Sequence, residues 1–273
     1  MRLGVISDLH VDLQEDSYQQ SLIKLLAKEC RKQGLTILII AGDVANHYSL
    51  VYAFIEQLQK AIKIPLYFIP GNHDYWSDKE NTWTIYDNYC KHPKCLMTKP
   101  LSLTKNWGLV GHSAWYNHAG NFGRHSEIFL EKGIYQGYKW SDKEKINWQI
   151  SDRQVSKRFV KTIEKDLINL RKENYILITH FVTDFQLQIL PDPNYQVDID
   201  YFNAFISTDD LAYLYRKYPI RYSFMGHVHR RQTINISGRK YFQTSLGTPQ
   251  EWEKDSVLSE NIYQALKVIE IKE

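Results

Sequence analysis

Ile64-Pro65-Leu66-Tyr67-Phe68-Ile69 runs through Pro70 into Gly71-Asn72-His73-Asp74. The apolar run reads as a buried strand. A glycine, a neutral amide, an imidazole and a carboxylate then follow in four consecutive positions, a combination that packing alone does not ask for. In α/β sheets, ligands gather at the carboxyl ends of strands. The reading of the whole chain therefore turns on whether other strands end in similar chemistry.

They do, on both sides of this stretch. Upstream, Thr36–Ile40 is a continuous apolar run of the kind buried on both faces, and it ends in Ala41-Gly42-Asp43. The glycine lets backbones approach there, and the aspartate is delivered at a strand terminus. Further upstream, Arg2–Ser7 is a short strand ending in Asp8-Leu9-His10. A period of two puts Asp8 and His10 on one side if the chain stays extended. Between these strands, Ser17–Lys32 reads as an amphipathic helix stopped at Gly34, and Tyr48–Ile62 as the next helix. Successive strand–helix units of this kind build a mostly parallel sheet with helices outside.

Downstream, residues 76–100 read as a helix and loop, and Trp107–Val110 as a strand. Tyr175–Thr179 is a core strand that ends in His180, and Arg221–Met225 one that ends in Gly226-His227-Val228-His229. The two alternating histidines again share one side of an extended chain. Arg153–Lys172 and Asp209–Lys217 read as helices, the first with a solvated face of mixed charge. Leu190–Tyr201 reads as loop. Thr233–Ile236 and Lys240–Thr244, joined through Ser237-Gly238-Arg239, read as a hairpin, and the alternating Tyr263–Ile271 as a closing strand. From Asn117 to Trp148 the periodic signal fails, and the segment is rich in Gly, Tyr, Trp and His. It is too long for an idle connection, so it is expected to be an ordered insertion or lid, at about 117–148, on a single domain spanning 1–273.

Composition sets the outer limits. The chain has 273 residues, 43% hydrophobic, enough for one large core. A net charge of +3 makes no case for a nucleic-acid or membrane partner. Aromatics reach 14%, most of them expected to be buried. Cys30, Cys90 and Cys95 have neither zinc-knuckle nor dithiol spacing and read as reduced thiols. Met1 leads straight into a strand without a leader pattern, no stretch approaches a membrane span, and the expected compartment is the cytoplasm.

The strand-end donors are Asp8, His10, Asp43, Asn72, His73, His180, His227 and His229. Carboxylate, imidazole and amide oxygen without thiolate suit Mn, Fe, Co, Ni or Zn, and do not suit a closed zinc–thiolate site. The set is too large for one ion and about enough for two if one carboxylate bridges. Asp43, alone at its strand tip, is the natural bridge. His47, His92, His112, His118 and His125 read as ordinary hydrogen-bonded residues, and Arg230 and Arg231 as a solvated edge.

Asp8-x-His10, Gly42-Asp43, Gly71-Asn72-His73-Asp74, His180 and Gly226-His227-x-His229 resemble, in order and glycine placement, the signature of the calcineurin-like metallophosphoesterases over residues 1 to about 245. The resemblance implies a four-layer αββα sandwich, two mixed sheets flanked by helices, with two metals at the sheet edge. It implies one metal held by Asp8, His10, Asp43 and His229, and the other by Asp43, Asn72, His180 and His227. Mn or Fe is favoured. His73 would face the substrate instead of a metal, oriented by Asp74. Two cations roughly 3.5–4 Å apart can share a water, make it hydroxide and clamp phosphoryl oxygens for in-line attack. A protonated His73 would then assist the leaving group. The expected activity is hydrolysis of a small phosphorylated substrate, a phosphodiester by preference. A nuclease wants a basic groove that the charge balance does not suggest. A non-catalytic scaffold of the same fold should lack ligands that are all present here.

Overall fold

Strand residues point alternately to opposite faces, so a run that is apolar at every position must be covered on both sides. The computed structural model, which describes residues 1–190 and 198–273, meets that requirement with two stacked sheets and helices outside. The described strands are β1 (Arg2–Ile6), β2 (Ile37–Ala41), β3 (Leu66–Ile69), β4 (Leu101–Ser102), β5 (Trp107–His112), β6 (Ile134–Tyr135), β7 (Tyr138–Lys139), β8 (Asn174–Thr179), β9 (Ile220–Met225), β10 (Arg231–Ile236), β11 (Arg239–Thr244) and β12 (Lys267–Glu270). The helices are α1 (Asp16–Lys32), α2 (Tyr48–Ile62), α3 (Thr82–Lys91), α4 (Glu127–Lys132), α5 (Ser141–Lys145), α6 (Asp152–Leu170), α7 (Ile199–Asn203), α8 (Ala212–Lys217) and α9 (Leu258–Ala265).

One sheet has the order β12-β1-β2-β3, the other β10-β11-β9-β8-β5-β4. β1, β2 and β3 are parallel, as are β5, β8, β9 and β11. The antiparallel strands β12, β10 and β4 lie at the edges. β2 shows why. Ile37, Ile39 and Ala41 join Leu3 and Val5 in a core shared with Ile176, Ile178 and Phe224 of the second sheet. Leu38 and Ile40 join the other cluster, with Leu22 and Leu26 of α1 and Phe54 and Leu58 of α2. Each such side chain stabilises the fold by about 1.5–3 kcal/mol through burial. Among the described residues, no helix is long and apolar enough to cross a membrane.

The expected elements differ from the structure in a few places. Tyr263–Ile271 is not one strand: α9 ends at Ala265 and β12 begins at Lys267. Leu258, Ile262 and Ala265 recur at helical spacing there, and Glu260 Oε2 accepts from the Val257 N–H at 3.3 Å. The expected Leu190–Tyr201 loop falls mostly on residues 191–197, outside the described residues. Asp198 then caps α7, its Oδ1 accepting from the Tyr201 N–H at 3.1 Å. The segment from 117 to 148 carries a 3-10 turn, α4, the β6–β7 hairpin and α5.

The two sheets are joined at one end. Ser7 N–H donates to Thr244 O (3.0 Å) and Leu246 N–H to Ser7 O (2.8 Å), so the tip of β1 sits against that of β11. Asp8 N–H donates to Gly42 O and Gly226 N–H to His180 O. These bonds between loops bring all the chemistry-bearing strand ends to one place.

Candidate metal centre

The donors reach that place through strained backbone. Asp8, His10, Asp43, His227 and His229 all have positive φ, from 41° to 70°. This corrects the expectation that an extended chain with a period of two aligns Asp8 with His10 and His227 with His229. The chain leaves each strand through left-handed residues instead, which non-glycine side chains enter at a cost of roughly 1–2 kcal/mol. The glycines serve close approach. A Cβ on Gly71 would stand 2.6 Å from the Asp43 nitrogen, and one on Gly226 2.6 Å from Asp8 Oδ2.

The expected donors converge. Asp43 Oδ2 lies 3.2 Å from His180 Nε2 and 3.9 Å from His10 Nε2. Asn72 Oδ1 lies 3.1 Å from His180 Nε2 and 3.0 Å from His227 Nδ1. His229 Nε2 lies 3.7 Å from Asp8 Oδ1 and 3.0 Å from His10 Nε2. Asp8, His10 and His229 form one group able to hold an ion, and Asp43, His180 and His227 another. His10, Asp43 and His73 also come within reach of one another.

Hydrogen bonding on the far side of each donor shows what the near side is for. His227 Nε2–H donates to Phe205 O at 3.1 Å, leaving a lone pair on Nδ1. Asn72 Nδ2 donates to Asp142 Oδ1 at 2.9 Å, which turns its carbonyl oxygen toward that lone pair. Two acceptors thus face each other at 3.0 Å with no proton between them. His180 Nδ1–H donates to Ala41 O, so its Nε2 looks into the same space. His229 Nδ1–H donates to Glu251 at 2.7 Å, the carboxylate–imidazole pairing common behind metal-bound histidines. His10 Nδ1 is buried without a partner. A cation facing Asn72 Oδ1 and His227 Nδ1 would satisfy both lone pairs, and the oxygen and nitrogen donors gathered here fit a metal ion.

Charge runs the same way. Burial alone lowers the pKa of His180, but Asp43 and Asp8 outweigh it and hold it at about 9. His229 is likewise held at about 9 against burial, by Glu251 and Asp8. The carboxylates draw in positive charge, and protons take the places that a metal would contest. His227 is lowered to about 3 by burial and by His180, so its imidazole is neutral.

Asp74 does not orient His73, contrary to expectation. Its Oδ2 accepts from Asp43 N–H (2.8 Å) and Gly71 N–H (2.7 Å), and its Oδ1 from Val44 N–H (2.8 Å) and Ala45 N–H (3.0 Å). The carboxylate staples the β2 tip to the β3 tip. His73 is positioned by Asn46, whose Oδ1 is 2.7 Å from Nδ1, and by Trp76, whose ring stacks on the imidazole at 3.8 Å. Burial lowers His73 to about 4, so the resting imidazole is neutral. Arg231 is tied to Ser245 O, Asn261 and Leu246 O, and Arg230 to Gln188 O. Neither arginine faces the centre.

Sequence reasoning does not reach Asn46, Glu251 or Asp142. Asp142 is the most consequential of these. It is buried, it comes from the 117–148 segment, and it accepts from Asn72 Nδ2, Trp76 Nε1 (2.8 Å) and Trp140 Nε1 (3.2 Å). It thereby holds Asn72 in the orientation that aims its oxygen at the histidines. If Asn72 ligates an ion, Asp142→Ala is expected to weaken its binding by about 10–100-fold, the usual cost of losing a partner behind a ligand. Metal-competition titration measures this, and unchanged affinity would refute the role.

The other histidines stay outside the centre. His47 caps α2, His92 stacks on Tyr52, and His112 pairs with Tyr86. His125 meets Asp198, and His118 lies between Glu127 and Asp152. His118, Glu131 and Asp152 are close enough to hold an ion, but the Lys143 ammonium already pairs with both Glu131 and Asp152 there.

Comparisons with known proteins bear on the family and the fold. A family profile described as calcineurin-like phosphoesterase matches residues 1–231. A probable cyclic nucleotide phosphodiesterase of Fibrobacter succinogenes is 30% identical over 93 residues, 32% of this chain and only 36% of that protein's length. The fold is similar to that of the phosphopantetheinyl hydrolase of Mycobacterium tuberculosis, with a TM-score of 0.71 at 18% identity over 98% of this chain and 95% of that one. It is also similar to TT1561 of Thermus thermophilus, with a TM-score of 0.52 at 12% identity over 98% and 97%.

Proposed function

The chain belongs to the calcineurin-like phosphoesterases, and on that premise we propose that it hydrolyses a phosphodiester at a two-metal centre. One ion would be held by Asp8, His10, Asp43 and His229, the other by Asp43, Asn72, His180 and His227, with Asp43 shared. The donor set suits Mn or Fe. Such a pair of cations lowers the pKa of water and neutralises charge on phosphoryl oxygens.

The observation that carries the diester preference is the cleft in front of these donors, about 530 Å³ in volume. Asp43, Asn72, His73, His227 and His229 line one side of it. Trp140, Ile189, Phe202 and Ile206 line the apolar remainder, and no lysine or arginine is among the described lining residues. A dianionic monoester would bring a second charge that no lysine or arginine there meets. A diester brings one negative charge and a second organic group, which the apolar wall accommodates.

The chain's own residues supply the rest. His73 projects into the cleft with Nδ1 held by Asn46, leaving Nε2 toward the substrate. The neutral imidazole takes up a proton as the anionic phosphate arrives and returns it to the departing alkoxide. Trp76, stacked on the ring and fastened to Asp142, keeps the imidazole from turning. The Mn-loaded protein is expected to prefer a dialkyl phosphate to the corresponding monoalkyl phosphate by kcat/KM. A preference for the monoester would overturn the diester reading.

A further inference from the structure

Beside the apolar side of the cleft lies a second cavity, of about 380 Å³. Tyr135, Tyr138, Trp140, Tyr201 and Phe202 line it, together with the polar Gln136, Lys139 and Ser141. Trp140, Ser141 and Phe202 line both spaces, so the cavity abuts the cleft.

Two of its rings are held by stacking, one within the wall and one on the core. Tyr135 stacks on Tyr201 with centroids 4.6 Å apart, and Trp140 stacks on Phe205 at 4.9 Å. Tyr138, on the β6–β7 hairpin, is 82% exposed. Trp140 is also fastened to Asp142, which holds Asn72. The aromatic wall is thereby fixed in position relative to the candidate ligands. The volume lies in the range of small-molecule sites, roughly 300–1,000 Å³. Aromatic rings with an amide, a hydroxyl and an ammonium among them suit a flat ring carrying heteroatoms, which gains stacking and polar contacts beyond the apolar burial that an aliphatic chain would share.

We propose that this cavity is the subsite for one organic group of the diester, and that the group carries a planar heteroaromatic ring of the nucleobase kind. This rests on the phosphodiester reading, and two measurements keep the two claims apart.

The first compares two substrates on the Mn-loaded protein: adenosine 5′-(methyl phosphate) and the same methyl ester of 1-deoxyribose 5-phosphate, which lacks the base. The base is expected to raise kcat/KM by about tenfold or more, the scale of one stacked base. Tyr138→Ala is expected to reduce that ratio about tenfold, and the ring's exposure lets the variant fold. The second is equilibrium dialysis of adenosine alone against metal-free protein, expected to show saturable binding that Tyr138→Ala weakens. If both esters are hydrolysed equally, the subsite is overturned and the hydrolase stands. If neither is hydrolysed but adenosine binds, the diester reading falls and the ring site stands. If neither is hydrolysed and adenosine does not bind, both are overturned.

Discussion

Asp43→Asn is expected to empty both ion positions together and to lower kcat/KM by at least about 10³-fold, the scale of losing one charge-stabilising group at a reaction centre. Asp43 Oδ2 is the oxygen that faces both His180 and His10, at 3.2 and 3.9 Å. Burial pushes this carboxyl up, but His180 and His73 outweigh it and hold it well below the usual carboxylate range. The oxygen therefore stays ionised and available to a cation. An amide in its place is neutral and turns either an N–H group or a weaker oxygen to the same point. Metal analysis of the purified variant checks this. One ion retained at wild-type affinity would contradict the sharing of Asp43 between two sites.

The second large effect is expected at His73. His73→Ala should keep the metals and lose about 10²–10⁴-fold in kcat on an alkyl diester, the usual contribution of a positioned proton donor. The loss should be far smaller on a 4-nitrophenyl ester, whose leaving group needs no proton. Equal losses on both esters would make His73 a binding group and not a proton donor. Asn46→Ala should reproduce part of the effect, because Asn46 and not Asp74 holds the ring.

The fold is legible because inner strands such as β2 are short, apolar at every position and separated by helices of the right length. β2 needs cover on both faces whatever its neighbours are. The donors are legible because histidine, asparagine and aspartate at a strand tip have no packing role. How they converge is less so. The left-handed turns at Asp8, His10, Asp43, His227 and His229 are imposed by bonds between loops far apart in sequence, such as Asp8 N–H to Gly42 O. No local propensity announces them.

The supporting residues fail to show for the same reason. Asp142 is an acid in a segment without periodicity, and Glu251 lies beyond the last motif. Each acquires its role only from what folding puts beside it. Asp74 illustrates the converse. Its proximity to His73 in sequence suggests a pair, but four backbone N–H groups claim its oxygens first. The error at Tyr263–Ile271 has a simpler cause, since a short apolar run satisfies a period of two and a period of 3.6 about equally well.

The most direct test is anomalous diffraction from crystals of the Mn-loaded protein. Two peaks are expected on either side of the Asp43 carboxylate, one among Asp8, His10 and His229 and the other among Asn72, His180 and His227. A single peak, or none within reach of Asp43, would contradict the account.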